Sequence, residues 1–95
     1  MPLKKCSIDG KSGWKWGDQG HCYPGKEGKK KAIKQGIAIE GSPEKFAQVQ
    51  KSEGEYVGEC EQDIFEVLTE AGYDITMSSL LALEVAEANR LKKVE

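Results

Sequence analysis

The chain is short of bulk. Of its 95 residues, 38% are hydrophobic and only 7% aromatic. A chain of this length buries a modest core, so a staple, a metal, a partner surface or an oligomer is expected to help it. No apolar run approaches the roughly 18 residues of a membrane-spanning helix. Met1-Pro2-Leu3-Lys4-Lys5 has no apolar stretch behind it and no cleavage pattern, so no signal peptide is expected and synthesis in a cytoplasm is the default. Cysteines number three, and an odd count argues against a secreted disulfide scaffold. No C-x-x-C pair occurs, and the glycines lack the spacing of a dinucleotide or Walker loop. No internal repeat or long low-complexity tract is present.

What is there is concentrated at one end. Residues 6–23 carry two Cys, both Trp, Tyr23 and the single His. Asp9-Gly10 and Gly17-Asp18-Gln19-Gly20 are turn signals, because glycine takes positive φ freely and Asp bonds its own backbone. Strands are expected near 4–8, 13–17 and 21–23, closed by Pro24-Gly25. Trp14 and Trp16, two apart, share one face of their strand, and Lys15 takes the other.

Charge is divided along the chain. Residues 1–34 set nine Lys against Asp9, Asp18 and Glu27, a balance of +6, and residues 35–95 carry −8. The basic half suits nucleic acid, an acidic protein surface or the acidic half of a second copy; solvated surfaces are the plainer reading.

The remainder reads as helices. Residues 27–40 predict a basic helix on Ala32, Ile33 and Ile37, weakened by Gly36 and stopped at Gly41. Ile37-Ala38-Ile39 is also compatible with a short strand. Ser42-Pro43 is a helix start, with Phe46 and Val49 anchoring one or two turns. Residues 51–55 read as a linker. An amphipathic helix over 59–71 carries Ile64, Phe65, Leu68 and Ala71 on one face and solvated carboxylates elsewhere. Gly72 ends it. A last helix over 77–94, capped by Ser78 or Ser79, carries Leu81, Val85, Ala88 and Leu91, widened by Leu80 and Leu83. The fold class is α+β: a small N-terminal β-meander and basic helix (1–41), then an acidic helical region (42–95) forming an αα-hairpin.

Each chemical constellation has a bland counterpart. Cys6 and Cys22 form either a disulfide or two thiols filling a tiny core. A zinc site would draw on Cys6, His21, Cys22 and Cys60, but adjacent His21 and Cys22 do not easily share one ion. A Cys–His catalytic pair lacks an orienting group and an oxyanion hole. Trp14, Trp16 and Tyr23 amid lysines are either a stacking platform for single-stranded nucleic acid or the bulk that holds the meander together. Read as helix-turn-helix, the last two helices are too rich in Ala, Leu and Glu to approach phosphates.

Cys6, Asp9-Gly10-Lys11, Gly13-Trp14-Lys15-Trp16-Gly17, Gly20, Cys22-Tyr23, the lysine-rich stretch and Ala32-Ile33-Lys34-Gln35-Gly36-Ile37-Ala38-Ile39 together resemble a Cys-bounded module of structural and morphogenesis proteins of tailed bacteriophages. The resemblance covers the first forty residues or so. His21 departs from it, standing where Lys or a similar residue is expected.

The resemblance implies a structural protein of the virion, made in the host cytoplasm, and the residues themselves lead us to expect no catalytic group, metal or cofactor. It would be a decoration, cement or minor head protein binding the major capsid protein or the head–tail junction, with homo-oligomeric contacts in the particle. Trp14, Trp16, Tyr23, Lys29, Lys30, Lys31 and Lys34 are the expected interaction residues, within a lysine set spanning 26–34. Ile64, Phe65, Leu68, Leu81, Val85 and Leu91 are the expected partner-helix face. The alternatives are a nucleic-acid-binding accessory protein and a small zinc or redox-active module.

Overall fold

The structure, a computed structural model, describes residues 3–17, 20–25, 27–58 and 60–94, with side chains through residue 92. Asp18 and Gln19 of the second turn signal, Lys26 of the lysine set and Glu59 at the start of the acidic helix lie outside the described residues. Three antiparallel strands, β1 (Leu3–Ile8), β2 (Lys11–Trp16) and β3 (Tyr23–Pro24), lie in sequence order. Four helices follow: α1 (Gly28–Glu40), α2 (Pro43–Glu53), α3 (Glu61–Glu70) and α4 (Ile75–Val94). This is the α+β arrangement expected, a small sheet ahead of a helical region.

The β1–β2 hairpin turns where the sequence said it would. Asp9 and Gly10 both have positive φ, 52° and 78°, the requirement of the tight turn that matches strand twist. The register sets Leu3 opposite Trp16 and Lys5 opposite Trp14, while Trp14 also faces Tyr23. One face of the sheet therefore carries two rows. The Leu3–Trp16 row is buried under α1, and the Lys5–Trp14–Tyr23 row runs out to the rim.

α1 is helical throughout, including Ile37-Ala38-Ile39. It ends at Gly41, whose φ of 93° lets its N–H bond the Ile37 carbonyl. Ser42 caps α2, its hydroxyl accepting from the Lys45 N–H at 3.2 Å. α2 runs to Glu53, so Lys51-Ser52-Glu53 is its last turn and not a linker. Its outer side, with Glu44, Lys45, Gln48, Ser52 and Glu53, faces water while Phe46, Ala47 and the polar Gln50 are buried. α4 begins earlier than expected, at Ile75. Asp74 caps it by accepting from the Met77 N–H. Ser78, a proposed cap, is instead fully buried inside the helix.

The core crosses the 41/42 boundary. Leu3, Trp16 and Ile33 pack with Phe46, Ile64, Leu68 and Val85 in one cluster. The rings of Trp16 and Phe46 lie 4.9 Å apart. Two buried amides tie the parts together. Gln50 Oε1 accepts from the Leu3 N–H at 2.9 Å, holding β1 to α2. Asn89 Oδ1 accepts from the Val57 N–H at 2.9 Å and its Nδ2 donates to the Gly58 carbonyl at 2.5 Å, holding the α2–α3 connection to α4.

Candidate functional site

The quoted motif residues build one object. Cys6 and Cys22 form a disulfide, with Cα atoms 6.0 Å apart and a separation of 16 positions in sequence. Cys6 pairs with Gly13, and Gly13 pairs with Pro24. The bridge thus ties the first strand to the entry of the third, which has only two residues of ladder. Glycines make the close approaches. A Cβ at Gly13 or Gly28 would collide with the Tyr23 carbonyl, one at Gly20 with the Trp16 carbonyl, and one at Gly36 with the Trp16 indole. Backbone and indole sit where side chains would normally stand.

The two tryptophans have different fates. Trp16 is 0% exposed and belongs to the core, so it presents no surface to a partner. Trp14 is half-buried, with the Lys29 ammonium 4.7 Å and the Lys5 ammonium 5.8 Å from its ring centroid. Trp14 and Trp16 therefore do not form the open stacking pair for bases: one ring is internal and the other carries two cations. Tyr23 is half-buried at the same rim, with exposed His21 against its edge at 4.7 Å.

The lysines of α1 divide likewise. Lys29 Nζ donates to the Val57 carbonyl at 2.7 Å, and Lys30 pairs with Glu66 of α3. The bond from Glu66 raises the Lys30 ammonium above its ordinary value, and the same bond lowers the Glu66 carboxyl. Burial pushes neighbouring Asp63 up. Lys31 and Lys34 are exposed, beside a shallow cleft of about 200 Å³ that Glu27 and Glu70 also line. That is below the size of usual ligand pockets.

Thiol and metal chemistry find little support in the geometry. Cys22 is bound to Cys6 and is no thiolate nucleophile. Cys60 is a buried thiol at the start of α3, apart from the bridge. Among the described residues no group of three His, Cys, Asp or Glu side chains could hold a metal ion. No helix among them is long and apolar enough to cross a membrane.

The expected partner-helix face is split. Ile64, Leu68 and Val85 are at most 2% exposed, filling the chain's own core. Phe65 and Leu81 are half-buried against it, and Leu91 points away at 72% exposure. α4 has a buried side and an exposed side that carries leucines around Glu87. Its inner side carries Ser78, Ala82, Val85 and Asn89; its outer side carries Leu80, Leu83 and Leu91. Compared with known proteins, the chain matches no family model, no curated protein and no solved structure.

Proposed function

We propose that this chain is a non-enzymatic structural protein of a tailed-phage particle, a decoration, cement or minor head protein that binds the capsid or the head–tail junction. It is made in the host cytoplasm and resides in the virion. One observation carries the reading: the motif residues are consumed in construction. Cys6 and Cys22 brace the strands, Trp16 fills the core, and Gly13, Gly20 and Gly36 clear space for neighbouring backbone and indole. A module spent on its own rigidity supports a role in holding surfaces together. Lys31 and Lys34, exposed on α1, are the groups offered to an acidic capsid surface.

Co-sedimentation of the purified chain with particles lacking it tests this. Saturable binding, weakened by Lys31→Glu with Lys34→Glu and by salt, is expected. A chain that ignores particles but binds duplex DNA through the same lysines overturns the reading in favour of a nucleic-acid accessory protein.

A further inference from the structure

We infer that the Cys6–Cys22 bridge is a thiol-exchange site, which small thiols open and close as a redox latch on β3 while the rest of the fold stands. Side chains alternate along a strand, so Cys6 lies on the face of the sheet opposite Leu3, Lys5, Trp14 and Trp16. The core is on the α1 side, and neither Cys6 nor Cys22 belongs to it. Gln50 and Asn89, which tie the parts of the fold together, bond Leu3, Val57 and Gly58 and act without the bridge. What the bridge does hold is β3. That strand is two residues long, pairing Tyr23 with Trp14 and Pro24 with Gly13. Just beyond it the Gly25 N–H donates to the Ser12 carbonyl at 3.1 Å.

Access and charge suit exchange. Both cysteines are half-buried and not enclosed, and exposed bridges are the labile kind. Cys6 pairs with Gly13, so its diagonal cross-strand neighbours are Lys11 and Lys15, and Lys4 and Ile8 flank it along β1. Lys11 and Ile8 are exposed. Cations beside the bridge stabilise a thiolate as it leaves and attract an anionic thiol. The thiolate of a small thiol attacks Cys6 Sγ. A mixed disulfide forms there and the Cys6–Cys22 bond breaks. Its electron pair goes to Cys22 Sγ, which takes up the proton that the attacking thiol gave up. A second thiol attacks the small molecule's sulfur in the mixed disulfide. Cys6 is left as a thiol, and the two small thiols are oxidised to their disulfide. The reverse sequence closes the latch. A reducing cell interior therefore keeps it open, and an oxidising medium keeps it shut.

None of this depends on what the chain binds, and the purified full chain tests it. Reduced glutathione, an anionic thiol, at cytosolic poise should open the bridge in the folded protein. Two thiols should then titrate without denaturant, and buried Cys60 only with it. Far-ultraviolet circular dichroism should stay unchanged. Hydrogen exchange should quicken at least about 10-fold at Gly25 and stay as it was at Val57. Lys11→Glu with Lys15→Glu, at low salt, should slow opening by glutathione about 3-fold or more beyond any slowing with uncharged 2-mercaptoethanol. A bridge that glutathione opens only in denaturant overturns the latch. So does a reduced chain that loses its helical signal, or one whose Gly25 exchanges no faster. Equal slowing of the two thiols overturns the part assigned to the lysines.

Discussion

Gly36→Ala should destabilise this protein, although alanine is the better helix former. Gly36 is buried in the middle of α1. In a helix interior alanine is worth about 1 kcal/mol more than glycine. The added Cβ would stand 2.6 Å from Cδ2 and 2.7 Å from Cε3 of Trp16. Carbon atoms pack best at about 3.5–4.0 Å, so the indole would have to retreat by about 1 Å. It has nowhere to go: Trp16 is 0% exposed and its ring lies 4.9 Å from Phe46. Overpacking of a close-packed core costs about 1–3 kcal/mol, and a rigid ring as the receiving neighbour favours the upper half. The net expectation is a loss of about 1–2 kcal/mol. Urea unfolding followed by circular dichroism reads it as a lower midpoint at unchanged slope. In a Trp16→Leu background the obstacle is gone, and the same substitution should become stabilising. The double-mutant cycle then isolates the Gly36–Trp16 contact. A gain of about 1 kcal/mol in both backgrounds would refute the reasoning.

Removing the bridge, by reductant or by Cys6→Ser with Cys22→Ser, should cost roughly 3 kcal/mol for a loop of this length; an unchanged urea midpoint would mean β3 holds without it. Asn89→Ala removes the amide that bonds the Val57 N–H and the Gly58 carbonyl, and should cost about 2–3 kcal/mol in the same assay. Gln50→Ala should raise hydrogen exchange at Leu3, whose N–H it holds, more than at residues of α3. Glu66→Gln tests the Lys30 pair through pH. The folded-state carboxyl is lowered by Lys30, so its stabilisation is present above the unfolded value and fades as acid titrates it. The raised Lys30 loses its share only in strong alkali. The difference between wild type and variant should therefore be flat around neutrality and vanish in acid; a difference persisting after carboxylate protonation would assign the effect to packing.

Features written in local chemistry were legible in the sequence. Asp9-Gly10, Gly41 and Ser42-Pro43 act where turn and cap rules put them, and the Trp14/Trp16 alternation fixed their shared face. What that alternation does not carry is where the face leaves the shelter of α1, and this separates a buried Trp16 from a rim Trp14. Gln50 and Asn89 were missed because a buried amide has no periodic signature; their partners, Leu3, Val57 and Gly58, are distant in sequence. α4 misled because Leu80, Leu83 and Leu91 lie on its exposed side while smaller and polar residues, Ser78, Ala82, Val85 and Asn89, make its buried one. Hydrophobicity puts Leu91 with Val85, but Asn89 and Ala82 define the buried side. Residues 51–53 looked like a linker because they are polar, and they are polar because that last turn of α2 faces water. At the start of α4, Asp74 and Ser78 are both good caps, and only the depth of Ser78 decides between them.

The central claim is that this is a particle protein, and quantitative mass spectrometry of purified virions, run without reductant, tests it most directly. Many copies per particle, with a linked Cys6–Cys22 peptide, is the result the account predicts. A chain abundant in the infected cell but absent from the particle would contradict it.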